Sequence, residues 1–387
     1  MSYYFLPLFL ISVLTAFTFI TLYNKSFLGI QLPHGNRDGC IDGLRGYLAL
    51  LVVGHHYMII YMWLLTGKWV PPKIIYANNM GRIGVAVFFM ITGYLFIGKL
   101  IRDRDLNSKT NWYKLYFSRF FRIMPLYLLV VSITFFLALY KTNFLIDSNL
   151  SRLAMDIIKW FLFVGSSING YQDTMHISAG VTWTLKYEWA FYFSLPVISF
   201  FIKNKFCMFI MAISLLAMFL INKTYFGFES RYAIFFLLGG GISYFRFSVN
   251  ENIRMFLCSK KSSVIGIVAI MLALLSRGDV TRIDNVLFVF IFFIPIVFGN
   301  SIFGLLSKPA SVILGEMSYS IYLLHGVILF IFFKLLMPKL PAFSGTIYFS
   351  LMPAIFCLVV IACTITFKTI EKPFIFVGKK LNTQLPS

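Results

Sequence analysis

The stretch DGLRGYLALLVVGHHY, residues 42–57, sets an arginine at the start of an apolar run and two histidines deep inside it. Arg45 and His56 are eleven positions apart, three helical turns plus about 20°, so on a helix both point the same way, about 16 Å apart along the axis. His55 points about 100° away from them. Ionisable groups inside an apolar helix are costly and mark functional cavities. The plainer alternative is a packed histidine plus an arginine whose stem lies along lipid while its head reaches water.

Three further sets share this character. WTLKYEWAFYFSLP (183–196) places Glu188 and Tyr192 at i,i+4 on one face. Counted from one outer boundary, Glu188 lies about 8 Å deep and His56 about 14 Å deep, so the two are expected to meet across one cavity. A carboxylate there fixes the imidazole's tautomer and raises its basicity; pairing of Glu188 with Lys186 is the alternative. FSRFFRIMPLYL (117–128) puts Arg119 and Arg122 on one face. Arginine suits phosphate because its planar fork donates two hydrogen bonds, although simple topological anchors would look the same. GEMSYSIYLLHG (315–326) lines up Ser318, Tyr322 and His325 at i,i+4,i+7, with His325 at the depth of His56. Hydroxyls that glue helices together are the alternative reading there. TIEKPF leaves Glu371 and Pro373 at the end of the last apolar run, in a structural role.

The elements that carry these residues are membrane helices. Of 387 residues, 59% are hydrophobic and 12% charged, with a mean hydropathy of +0.83, so the bilayer must be the solvent. Phe, Tyr and Trp number 45, 21 and 6, which suits lipid contact and interfacial belts. Apolar runs fall at 3–23, 43–65, 81–99, 124–140, 183–202, 206–222, 229–247, 262–276, 284–304, 312–337 and 346–367, eleven candidate helices. The first lacks a basic start and a small-residue cleavage site and is expected to be retained. Residues 154–168 read as an interfacial or re-entrant piece. With the N-terminus outside, the cytoplasmic loops, including 203–205, carry 20 basic residues and the outer segments 11, which supports a cytoplasmic C-terminus. The net charge of +20 is spread through short loops rather than gathered in a basic domain, which excludes a nucleic-acid partner. Five cysteines without a CxxC pair give neither a disulfide framework nor a metal site. About twenty residues follow the last run, so no soluble appendage is expected.

Taken together these segments resemble acyltransferase family 3, the integral-membrane O-acyltransferases, over residues 41–376. IDGLRGYLALLVVGHHY is similar to the family's arginine–ten residues–histidine signature through Arg45 and His56. GRIGVAVFFMITGYLF resembles its second-helix pattern, with Gly81, Gly84, Val85, Phe88, Phe89 and Gly93 in place and Thr92 where serine is commoner. SRFFRIMPLY resembles its paired-arginine motif, WTLKYEWAFY its Trp–Ser/Thr–Leu–x–x–Glu segment, and GEMSYSIYLLH and TIEKPF its last two helices.

The resemblance implies an all-α, polytopic helical bundle: an extra N-terminal transmembrane helix and cytoplasmic loop (1–40), a ten-helix acyltransferase domain (41–376) and a cytoplasmic tail (377–387). It implies a multi-pass protein of the bacterial inner membrane, with acetyl-CoA or another acyl-CoA as cytoplasmic donor, a glycan or glycolipid hydroxyl as acceptor, and no metal. Many relatives carry a fused extracytoplasmic hydrolase-like domain. Here either the chain completes transfer alone or a separate protein does. Arg45, Arg119 and Arg122 would hold the donor's phosphates, and the arm would thread inward to His56 and Glu188. Tyr192, Ser318, Tyr322 and His325 are substrate or oxyanion candidates. Direct attack by the hydroxyl, with His56 as base, and an acyl-histidine intermediate are both open. The rival class is a transporter or flippase of a polar lipid or glycan precursor, which inverted repeats and broken helix pairs would favour; neither is visible. Acceptor, acyl length and oligomeric state are not legible.

Overall fold

A computed structural model describes residues 4–30, 32, 39–146, 149–202, 213, 217, 219–220, 224–225, 228–246, 249–337 and 344–384. The run at 206–222 and the loop 203–205 fall almost wholly outside them. In chain order the helices are α1 (Phe5–Tyr23), α2 (Gly39–Thr66), α3 (Ile75–Asp105), α4 (Trp112–Lys141), α5 (Leu150–Phe161), α6 (Thr174–Ile177) and α7 (Trp183–Ile202). There follow α8 (Ala233–Phe245), α9 (Glu251–Cys258), α10 (Lys260–Leu275), α11 (Ile283–Val297), α12 (Pro309–Glu316), α13 (Ser318–Phe330), α14 (Gly345–Ser350), α15 (Met352–Thr366) and α16 (Lys372–Gln384). Pairing of Thr224–Tyr225 with Phe228–Glu229 is the one strand contact of two named strands among the described residues.

Among the described residues six helices are long and apolar enough to cross a bilayer: α1, α2, α3, α4, α13 with its π-helical extension to Leu336, and α15 continued through α16. The pair α9–α10, bent by 63°, makes a seventh if it is one span. The protein is thus a polytopic helical membrane protein, but its apolar runs do not all become straight spans. A span needs about 20 residues, whereas α8 and α11 have 13 and 15. The run 312–337 breaks at Met317, where α12 gives way to α13. The last run continues past 368 as a π turn and then α16, which returns along α4; Asn382 donates to the Lys114 carbonyl at 3.0 Å. The segment 154–168, expected to be interfacial or re-entrant, falls partly on α5, which has Leu150, Met155, Ile158 and Phe161 exposed and Trp160 buried.

At the centre, α2 and α3 lie side by side and are the most enclosed of the long helices. Small residues let backbones touch, the usual device where lipid gives helices no hydrophobic reason to associate. A Cβ on Gly315 of α12 would sit 1.7 Å from the Asp42 carbonyl oxygen of α2, and one on Gly239 of α8 would sit 1.9 Å from the Met90 carbonyl of α3. Gly239→Ala is therefore expected to overpack the α3–α8 seam by about 1–3 kcal/mol and to lower the thermal midpoint of the detergent-solubilised protein. An unchanged midpoint would mean the two helices can part freely. From outside, α1 lays the Phe9 ring on Gly54, next to His55.

Candidate active site

The second helix is unbroken from Gly39 to Thr66, so the spacing of Arg45 and His56 is a true axial distance of about 16 Å. At its N-terminal end a cavity of about 470 Å³ opens between α2, α3, α4, α7 and α13. Arg45, Lys99, Arg102, Arg119 and Arg122 line it, together with Glu188, Tyr192, Ser318 and Tyr322. The helix α4 begins at Trp112, with Asn111 capping it by accepting from the Lys114 N–H at 2.9 Å. Arg119 and Arg122 are thereby carried on an early part of one long helix. Arg119 lies over the Phe96 ring, 5.1 Å from its centroid. Arg45 is 3.6 Å from Asp42. Glu371 is buried, accepts from Ser320 at 2.8 Å, and is close enough to act on Arg122 and Arg45. Lys99 and Arg102 were not singled out from the sequence, although their place just beyond the second-helix motif was the available signal.

His56 and His325 are not among the residues lining this cavity. They meet each other instead: His325 Nε2 is 2.9 Å from His56 Nδ1, with ring centroids 5.0 Å apart. Hydrogen-bond logic then assigns the tautomers of the neutral pair. The Ile321 carbonyl, 2.9 Å from His325 Nδ1, can only accept, so Nδ1 carries the proton and Nε2 is a lone pair. His56 Nδ1 must therefore donate, and it also has the Val52 carbonyl at 3.1 Å. The lone pair of His56 is left on Nε2. His55 does something else: its Nδ1 donates to the Ala77 carbonyl of α3 at 2.9 Å, and Gly81 makes room for the ring, since a Cβ there would sit 2.4 Å from it. That explains one glycine of the second-helix pattern by contact with its neighbour.

Glu188 does not reach His56. It accepts from the Tyr192 hydroxyl one turn along α7, and its charge acts on Arg119. The depth count set Glu188 nearer the outer boundary than His56; instead it lies one turn past Thr184, which meets Tyr322, and so on the arginine side of the histidine pair. The histidine's polar partner is His325, whose matching depth was visible in the sequence. Ser318 is buried, lines the cavity, and its Oγ has no hydrogen-bond partner among the described residues. It stands seven residues before His325, about 10 Å along the axis, too far to serve a carbonyl held at His56. Tyr322 is one turn from His325, with ring centroids 6.3 Å apart, and its hydroxyl is 2.8 Å from Thr184 Oγ1. Tyr322 is thus a cavity-lining residue that also touches the histidine pair. Among the described residues no cluster of three or more His, Cys, Asp or Glu could hold a metal.

A cavity lined by arginines at one end of a helical bundle, with a hydrogen-bonded histidine pair outside it, is set within a polytopic helical membrane protein. Residues 38–368 match the acyltransferase 3 family model, described as an acyltransferase domain, and the chain belongs to that family. It is 24% identical over 316 residues to the O-acetyltransferase OatA of Staphylococcus aureus (strain NCTC 8325 / PS 47), covering 74% of this chain and 49% of that protein. It is also 24% identical over 383 residues to a protein of S. aureus strain COL named "Putative O-acetyltransferase SACOL0978", covering 90% of this chain and 59% of that one. The chain therefore spans about half the length of the curated relatives it matches. No solved structure matches it.

Proposed function

We propose that the protein is a membrane O-acyltransferase that moves an acetyl group from cytoplasmic acetyl-CoA to a hydroxyl of a cell-surface glycan or its lipid-linked precursor, in the bacterial inner membrane. The observation that carries the reading is the single cavity shared by Arg45, Arg102, Arg119 and Arg122 at the foot of the helix that bears His56. The arginines offer planar donors for a multiply phosphorylated head group. The unpartnered Ser318 hydroxyl offers a hydrogen bond to the polar arm on its way inward. Glu188 and Glu371 act as positioning residues that hold Tyr192 and the arginines.

In the chemical step the acceptor hydroxyl gives its proton to His56 Nε2 while its oxygen attacks the thioester carbonyl. The C–S bond breaks, and the imidazolium returns the proton to the departing sulfur. Throughout, His56 Nδ1–H donates to His325 Nε2, which keeps Nε2 as the reacting atom and steadies the imidazolium that forms. Attack by His56 Nε2 itself, passing the acyl group on, uses the same geometry.

Purified protein in nanodiscs is expected to release CoA from acetyl-CoA when a glycan acceptor is present, and cells carrying it to add acetyl mass to a surface glycan. Failure of acetyl-CoA to bind or turn over, with glycans unchanged, would overturn the reading. The proposed orientation turns the ends of the bundle that carry Lys114 and the buried Glu371 toward the cytoplasm and Asp173 toward the outside. In intact cells a cysteine at position 173 is expected to react with an impermeant maleimide and one at position 114 is not; the opposite pattern would invert the bundle.

A further inference from the structure

The end of α2 away from the arginines brings a second group of side chains to His56. After Thr66 the chain turns through Gly67, at φ +69°, where the Lys68 N–H donates to Thr66 Oγ1 at 3.2 Å. The loop then returns Trp69 to the histidine. Its ring centroid is 6.3 Å from that of His56, the planes 28° apart. On the indole also lies His176, 4.5 Å away and within 7° of parallel, and His176 Nδ1 is 2.9 Å from Asp173 Oδ1. Trp63 meets both Trp69 and His176 edge-on, and Lys334 Nζ stands 4.0 Å from the Trp63 ring centroid. Side-chain exposure rises along this line, from the fully buried His325 to 28% at His176 and 41% at Asp173. The stack therefore leads from the reacting imidazole to the surface opposite the donor cavity.

Two properties of Trp69 bear on what reaches His56. Water is a competing nucleophile for any acyl group held there, and closing the site against it is what separates transfer from hydrolysis. An indole beside the imidazole narrows the approach to it, and His56 is left only partly exposed. The indole is also seated tightly against His176 and loosely against His56, and it stands on a short loop (67–74) free of regular structure throughout. The looser side is where a flat apolar face can be exchanged for another, and the C–H face of a sugar ring is such a face. We propose that Trp69 is the specificity-determining residue on the acceptor side. It keeps water from His56 and yields its contact with the imidazole to a carbohydrate ring, whose hydroxyl then takes the reacting position. This rests on the acyltransfer reading above.

The test needs no knowledge of the acceptor. Acetyl-CoA alone is given to purified parent, Trp69→Ala, Trp69→Phe and the double variant His56→Ala/Trp69→Ala, and CoA thiol release is followed. In the unguarded site water attacks the thioester carbonyl, His56 carries its proton to the sulfur, and acetate and CoA leave. Trp69→Ala is expected to raise acceptor-independent release by about tenfold or more, Trp69→Phe by much less, and the double variant to lose the rise. Release from Trp69→Ala at the parent's rate, or a rise that survives loss of His56, would overturn the proposal. Acetylation of surface glycans by the parent, absent in His56→Ala cells, tests the underlying acyltransfer reading separately.

Discussion

Replacing His56 by alanine is expected to cut acyl transfer by roughly a hundredfold to ten-thousandfold, the usual contribution of a positioned acid–base group, while acetyl-CoA still binds. The reason is that His56 presents Nε2 as its only free lone pair, held there by Nδ1 donation to His325. His325→Ala should lower kcat as well, though less, because the Val52 carbonyl still accepts from His56 Nδ1. His55→Ala should behave differently. It removes one hydrogen bond between α2 and α3, worth about 1 kcal/mol of stability, and leaves most of the turnover. CoA release at saturating donor, set beside thermal unfolding, separates the three. Equal loss of turnover at positions 55 and 56, with equal unfolding midpoints, would remove the distinction between the two histidines.

The second large effect lies at the other end of the same helix. Arg45→Ala is expected to raise the Kd for acetyl-CoA about tenfold to a hundredfold, the loss of one charge-assisted contact of roughly 1.5–3 kcal/mol. The chemical step should change much less. A side chain about 16 Å from the acyl carbon contributes binding made equally in ground and transition states, which appears in KM. Arg119→Ala and Arg122→Ala should follow the same pattern with smaller shifts, since the rim also holds Lys99 and Arg102. Calorimetric titration of acetyl-CoA into each variant measures it. An Arg45→Ala protein that binds donor as tightly as the parent yet fails to turn over would make Arg45 structural, through its contact with Asp42, 3.6 Å away.

The class of fold was legible because hydropathy at this level admits one solvent only. Helix α2 was legible in detail because a helix's pitch is fixed, so an eleven-residue interval is a distance and a direction at once. What the sequence does not carry is rotation of one helix against the next. His325 was counted to the depth of His56 and Glu188 to a shallower one, yet the carboxylate was expected to meet the imidazole because its chemistry suits that role. The packing differs: Gly326 sits against the backbone of Ser178 and Ala179, and the neighbouring His325 meets His56 of α2. Ser318 and Tyr322 were read as equivalent members of one stripe, yet only Tyr322 is one turn from the histidine pair. Trp69 passed unnoticed because no periodicity marks a loop that folds back. Interruptions of the apolar runs were not legible for a simpler reason: apolar composition does not register a break such as Met317 or a bend of 63° between α9 and α10.

The account stands or falls on one donor path from the arginines to the imidazole. The direct measurement is a cryo-electron-microscopy structure of the protein with a non-hydrolysable acetyl-CoA analogue. The account predicts phosphate density among Arg45, Arg119 and Arg122, the arm passing Ser318, and the acyl carbon beyond Tyr322 within contact distance of His56 Nε2. Phosphates bound away from these arginines, or an acyl group that stops in the cavity on the near side of Tyr322, would contradict it.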